Sequence, residues 1–264
     1  MRLYAVAALS FAFTASVHAQ SGKTWDKTYP VNGRVQLDVT TGEASIHTTA
    51  CGTCKAVTIH VDAQGQDLAE YRLEESSSGN RVTFSLKRRD GNSWGWSHGR
   101  SPEVNIQTPT ASDVTLKSGS GATDLAGVNG NLHVSAGSGG VHITESAGHL
   151  VGAVGSGGFT ADGGFSQFSV RSGSGGVNVR LRPGQQIDGD SSVAAGSGGV
   201  HLAVPRDLHA TLQATAGSGS IHSDIPLLTT GEITNRHAIH GTLNGGGPQL
   251  LISTGSGSTT INTL

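Results

Sequence analysis

Leu132-His133-Val134-Ser135-Ala136-Gly137-Ser138-Gly139-Gly140-Val141-His142-Ile143 decides the fold of this chain. Apolar residues stand at every second position on both sides of a Gly-Ser-Gly triplet, the signature of two short strands, each with one buried face, separated by a turn. The triplet recurs at Gly119, Gly137, Gly155, Gly173, Gly196, Gly217 and Gly255. The first four starts are 18 residues apart, the next two follow after 23 and 21, and the last gap of 38 is read as two periods with a degenerate copy inside. A step of this size suits one coil of a β-solenoid.

Aligned on the first glycine, with Gly42 as a divergent eighth member, the copies carry Leu37, Val114, Leu132, Leu150, Phe168, Ser191, Leu212 and Leu250 five residues before it, apolar in all but one. Four residues after it stand Ile46, Val141, Phe159, Val177, Val200 and Ile221. The expected fold is therefore all-β: a single-domain parallel β-helix or β-solenoid with coils of about 18–23 residues and Gly-Ser-Gly corners. Glycine suits such a corner because the backbone turns sharply, expected here through positive φ, while identical corners stack about 4.8 Å apart. A Cβ would clash, and the intervening serines would form a column of hydroxyls. Looser glycines at Gly130, Gly148 and Gly184 suggest a second corner and a third side.

Three segments follow. Residues 1–19 read as a signal peptide, with Arg2 as the basic region, an apolar stretch from Leu3 to Val17, and Val17-His18-Ala19 as the cleavage site. Residues 20–110 are an irregular β-strand part or cap, in which Arg34–Val39, Ala56–Val61 and Arg81–Leu86 still alternate. Residues 111–264 hold the regular repeats. Export places the mature protein in the periplasm, outside the cell or at its surface, and no later segment is long and apolar enough for a membrane span.

Forty glycines in 264 residues are roughly twice the ~7% of average proteins, without the strict period of collagen. Charged residues make up 14% and the net charge is -2, so nothing draws the chain toward nucleic acid or an anionic membrane.

Val204-Pro205-Arg206-Asp207-Leu208-His209-Ala210, then Ala214–Ile221 with its Gly217-Ser218-Gly219, then Asp224-Ile225-Pro226, resemble the bacterial "putative adhesin" β-repeat family, a domain of unknown function. The closing Gly241–Gly257 stretch is similar to that family's C-terminal coil, and the resemblance covers roughly Gly33 to Leu264. It implies a parallel β-helix-like fold in exported bacterial proteins, related to head-domain modules of auto-transporter adhesins. It brings no catalytic residues with it. The cysteine pair and the histidine content of this chain depart from many relatives.

Cys51 and Cys54, the only cysteines, lie between two strand-like runs, and in an oxidising compartment they read as a disulfide closing a tight loop. The alternative is a metal set of His47, Cys51, Cys54 and His60. His47, His142, His201 and His222 all sit five residues after their repeat glycine and point outward. Asp124, Thr160 and Asn178 on the coils between them break the column, so they read as a solvated polar ladder in which only His201 and His222 share neighbouring coils. The segment Lys87–Arg100 gathers Trp94, Trp96 and Arg100 into a candidate ligand-binding loop, or a cap that folds over the sheet.

No enzyme signature stands out. Gly-Ser-Gly is not a nucleophile elbow, the repeats lack a Walker lysine, and acids are too scattered for a polysaccharide-cleaving groove. No cofactor is expected. The sequence thus points to an exported adhesin-like protein acting by contact with a glycan, envelope or surface component. A self-assembling envelope protein is the second reading, and a polysaccharide-active β-helix enzyme the third.

Overall fold

The computed structural model describes residues 22–89, 100–225 and 237–264. The expected signal peptide, residues 1–19, lies outside these residues. The described residues form a 20-stranded sheet with no α-helix. The N-terminal strands are Thr24–Pro30 (β1), Val35–Thr41 (β2), Ser45–Cys51 (β3) and Ala56–Asp62 (β4), then, after one turn of 3₁₀ helix, Tyr71–Ser78 (β5), Arg81–Arg88 (β6) and Glu103–Pro109 (β7). Next come Ser112–Ser118 (β8), Thr123–Ala126 (β9), Asn129–Ala136 (β10), Val141–Val154 (β11), Phe159–Ser172 (β12), Val177–Leu181 (β13), Ser191–Ala195 (β14) and Val200–Val204 (β15). Ala210–Ala216 (β16), Ile221–Ser223 (β17), Ala238–Leu243 (β18), Gln249–Thr254 (β19) and Thr259–Thr263 (β20) complete it.

Two runs of strands face each other across one apolar cluster. One run is β5-β6-β2-β8-β10-β11-β12-β14-β19-β16-β18, and the other is β1-β4-β7-β3-β9-β11-β12-β13-β15-β20-β17. The long strands β11 and β12 belong to both, which is why the sheet is continuous. In the middle of the molecule the pairing is parallel and in repeat register: Val114, Leu132, Leu150 and Phe168 lie side by side, all buried. Like side chains therefore stack in columns, and each strand covers the apolar face that its neighbour cannot bury alone.

Stacking does not follow chain order at the ends. The segment β19–β20 inserts between β14–β15 and β16–β17, so Val193, Ile252 and Ala214 are neighbours in that order. The gap of 38 is thus not two coils with a degenerate copy, because β18 turns back antiparallel on β16 instead. Likewise β2–β3 slips between β6–β7 and β8–β9. The pairs β1–β4, β4–β7 and β5–β6 are antiparallel as well. At the N-terminal end both runs thus finish in antiparallel strands, whereas at the C-terminal end the first run finishes in the antiparallel β18 and the second in the parallel β17.

The Gly-Ser-Gly triplets occupy bends between strands. None of their glycines has positive φ, contrary to expectation. Their requirement is proximity. A Cβ on Gly173 would stand 2.5 Å from the carbonyl oxygen of Gly155, and one on Gly137 would overlap that of Gly119. The same overlap runs from Gly42 through Gly119, Gly137, Gly155, Gly173, Gly196 and Gly255 to Gly217, with the closing coil again one place in from the end. The cause is a hydrogen bond: the backbone N–H of Ser174 donates to Gly155 O at 3.0 Å, and Ser138, Ser156, Ser197, Ser256 and Ser218 repeat the bond to their neighbours. The triplet serines are exposed and bond through the backbone, so no hydroxyl column forms among the described residues. Positive φ belongs instead to the looser bends, at Gly127, Gly148 and Gly184.

Packing also explains a break in the apolar pattern. Gly152 occupies a position filled by Val134 and Val170 on the adjacent strands, and a Cβ there would overlap the ring of Phe159. The larger ring fills the space that the missing side chain leaves, keeping the volume of the layer constant.

At the N-terminal end the Trp25 and Phe84 rings pack at 5.5 Å, and the buried Glu75 carboxylate pairs with Lys27 and accepts from the Tyr29 hydroxyl at 2.9 Å. Burial, then the hydrogen bond to Glu75 and its charge, push the Tyr29 phenol above its ordinary 10.0. Burial and the bond to Glu43 push Tyr71 the same way. A phenol whose proton is held more tightly in the folded state lends stability that is complete below its unfolded value and is lost as pH rises through the folded one. Urea unfolding should accordingly show the protein losing stability above about pH 10, with a shallower decline in Tyr29→Phe.

Candidate functional site

The second run of strands presents one continuous outward row. In strand order it reads Asp26, His60, Asn105, His47, Asp124, His142, Thr160, Asn178, His201, Thr260, His222. Each residue faces its neighbour directly across a strand pair, about 4.8 Å away along the sheet. The alternation that buries Ile46, Val141 and Val200 inward sends the residue after each of them outward. His201 and His222 are not neighbours, since Thr260 of the inserted coil stands between them.

Beside this row runs a strip with no side chains. Gly140, Gly158, Gly176 and Gly199 each follow a triplet and are exposed. Unlike the triplet glycines, a Cβ on Gly158 would come no closer than 3.8 Å to its neighbour's carbonyl oxygen, and one on Gly140 no closer than 3.7 Å. Such distances are ordinary van der Waals contact, and none of these residues has positive φ. The fold thus does not need glycine at Gly140 and Gly158. What glycine does there is leave a trough of about 470 Å³, floored by Gly158, Gly176 and Gly199 and flanked by Thr160, Asn178, His201, Ser258 and Thr260. Its rim offers hydroxyl, amide and imidazole groups, with exposed backbone along the floor.

The opposite outer face is different in kind. A hollow of about 210 Å³ there is lined by Gln36, Asp38, Arg81, Asp113, Asn131 and His133. Its charges are paired: Arg34 donates to Asp113 at 2.8 Å, and Arg81, which donates to Gln36 at 2.5 Å, stands 3.8 Å from Asp38. Burial would raise the Asp113 pKa, but the Asn131 backbone N–H and the Arg34 guanidinium outweigh it and hold the carboxyl below the usual range.

The other sequence-predicted residues are dispersed. The sulfurs of Cys51 and Cys54 stand at disulfide distance, with Cα atoms 5.5 Å apart, in the loop that crosses the end of β7 from β3 to β4. Cys54 lies near Gln107 on that strand. His47 and His60 sit on the outward row with carboxylate partners of their own, His47 Nδ1 at 2.7 Å from Asp124 and His60 Nδ1 at 2.6 Å from Asp26. The set His47, Cys51, Cys54 and His60 is therefore not brought together as a four-ligand site, and among the described residues no three His, Cys, Asp or Glu side chains converge on one point. Trp94 and Trp96 lie outside the described residues. Arg100 is exposed, and its carbonyl accepts from Gln66 Nε2 at 3.0 Å.

Sequence reasoning missed the fourth glycine of each Gly-Ser-Gly-Gly, although the tetrapeptide is repeated verbatim at Gly137, Gly155, Gly173 and Gly196. It also missed that Asp26, His60 and Asn105 extend the row, because their strands carry no triplet to set the frame.

The Toastrack DUF4097 model matches residues 98–262, and the chain belongs to that family. Among solved structures it is similar to a "putative cell adhesion protein" of Clostridium sporogenes, at 13% identity and a TM-score of 0.43, covering 92% of this chain and 100% of that one. It is also similar to a "putative lipid binding protein" of Parabacteroides distasonis, at 15% identity and a TM-score of 0.47, covering 92% and 97%. A third is a "putative adhesin" of Bacteroides fragilis, at 12% identity and a TM-score of 0.42, again covering 92% and 97%. No curated protein matches the chain.

The two glycine columns differ in a way that mutagenesis can read. Gly137→Ala should cost about 1–3 kcal/mol, as an overpacked site does. Gly158→Ala should leave stability unchanged or raise it by up to about 1 kcal/mol through the unfolded state. Urea denaturation of the two variants beside the parent measures both.

Proposed function

We propose that this protein is an exported, adhesin-like β-solenoid, with coils of about 18–23 residues and Gly-Ser-Gly corners, that works by surface contact rather than catalysis. Residues 1–19 act as its signal peptide, 20–110 form the cap-bearing first part, and 111–264 the regular repeats. Cys51 and Cys54 form a disulfide that fastens the loop over β7, in keeping with an oxidising compartment. The observation that carries the reading is the bare strip of Gly140, Gly158, Gly176 and Gly199 beside the polar row. At Gly140 and Gly158 glycine is kept without steric need, and the effect of the strip is to open the backbone and its flanking hydroxyl, amide and imidazole groups to a ligand lying along the strands' stacking direction. An extended polar polymer such as a glycan suits that shape, since regularly spaced hydrogen-bonding groups meet a regularly spaced chain. No helix among the described residues is long and apolar enough to cross a membrane.

Self-assembly through the sheet ends is less favoured. The edge strand β5 carries the charged Arg72 and Glu74, an ion pair on an unpaired edge of the kind that discourages strand addition.

A binding screen of the mature protein, beginning at Gln20, against immobilised glycans and cell-envelope fractions tests the reading. The Gly158→Tyr/Gly176→Tyr double variant, which fills the trough, should lose at least tenfold in affinity for the retained ligand with its thermal unfolding unchanged. Equal binding by the double variant would place the contact surface elsewhere and refute the assignment.

A further inference from the structure

We propose that His47 and His60, on either side of Asn105, form a site for a divalent transition-metal ion such as Zn²⁺ or Ni²⁺. The order of strands makes the arrangement. Although His47 and His60 flank the cysteine loop in sequence, β7 lies between their strands, so across the sheet the row runs Asp26, His60, Asn105, His47, Asp124. It is nearly symmetric about Asn105, with each imidazole backed by a carboxylate on the side away from the centre. The cysteine sulfurs stand at bonding distance to each other, which leaves nitrogen and oxygen donors as the available set.

Each imidazole is prepared for metal. Nδ1 of His60 donates to Asp26 at 2.6 Å, and Nδ1 of His47 donates to Asp124 at 2.7 Å. A carboxylate on Nδ1 fixes the ring's orientation and tautomer, leaving the lone pair on Nε2, and raises its strength as a ligand. Both rings are half-exposed, at 36% for His47 and 40% for His60, so an ion can reach them from solvent. Their strands are two sheet spacings apart, about 9.6 Å, and the exposed Asn105 lies between them with its amide oxygen as a further donor. Of the other outward histidines, His142 neighbours Asp124, the carboxylate that His47 already engages, and has Thr160 on its far side; His201 and His222 have Asn178 and Thr260 as cross-strand neighbours, with no carboxylate among them.

Imidazole nitrogen favours zinc, nickel and copper over calcium or magnesium. Two imidazoles and an amide leave the remaining coordination positions to solvent, which makes the ion exchangeable and open to an incoming donor.

Titration calorimetry of tag-free mature protein, stripped with chelator, against Zn²⁺ and separately Ni²⁺ tests the site, with Co²⁺ absorption as an independent readout of nitrogen ligation. The expected result is one ion per chain. His47→Gln and His60→Gln should each weaken binding at least tenfold, and Asp26→Asn and Asp124→Asn by roughly 10–100-fold as for outer carboxylate partners of zinc histidines. His201→Gln should leave binding unchanged. Thermal unfolding of each metal-free variant checks that the fold is intact, since all five side chains point outward. Absence of binding, binding indifferent to His47 and His60, or equal loss in His201→Gln would overturn the proposal. The outcome is separate from that of the glycine trough: His47, His60, Asp26 and Asp124 are not among its lining residues, and His201, which is, is changed only as a control for metal binding.

Discussion

The structure depends on one contact: the backbone N–H of a triplet serine donating to the carbonyl oxygen of the first glycine one strand layer away. That bond, at 2.9–3.0 Å along the whole column, draws two bends so close that a Cβ on either triplet glycine would meet the neighbour's backbone. Buried or tightly packed backbone groups must find partners, and here the partner is always the same atom of the next repeat. Once the bends are locked, the strands on both sides are held in register, and register decides which side chains point inward. Leu132, Leu150 and Phe168 fall into one column and His142 and Thr160 into the opposite face for the same reason.

The two ends show what happens where that contact has no further partner. A repeat stack that simply stopped would leave its last apolar layer open to water. Instead the first and last repeat segments are each inserted one layer inward, and antiparallel strands close the outside except at β17, which stays parallel to β20. At the N-terminal end the closing layer brings aromatic rings and a buried carboxylate, and the charge of Glu75 is answered by Lys27 and Tyr29 rather than by water. Removing one member of such a group leaves the others buried and unpaired, so the end works as a unit.

Much of this was legible in the sequence, and the part that was not has a physical reason. Alternation around the triplets gave the all-β class and the inward columns, because a period of two is local information. The neighbour of each strand is not local information. Nothing in Gln249–Leu264 distinguishes insertion between β15 and β17 from addition at the end, since the same apolar pattern fits either slot. The same blindness hid Asp26, His60 and Asn105 from the outward row. The reason for the triplet glycines was half right, because steric exclusion was read correctly while the positive φ expected of them belongs to Gly127, Gly148 and Gly184. The fourth glycine went unread because a bare strip has meaning only once its neighbours are known.

Stacking order is the claim on which all else rests, and paired cysteines in the serine column test it directly. Adjacent bends lie within the Cα range that a disulfide spans, and bends two layers apart do not. With the closing coil seated between its neighbours, Ser197→Cys/Ser256→Cys and Ser256→Cys/Ser218→Cys should each cross-link under mild oxidation, while Ser197→Cys/Ser218→Cys should not. Ready formation of the last pair, with failure of the first two, would contradict the inserted order and the account built on it.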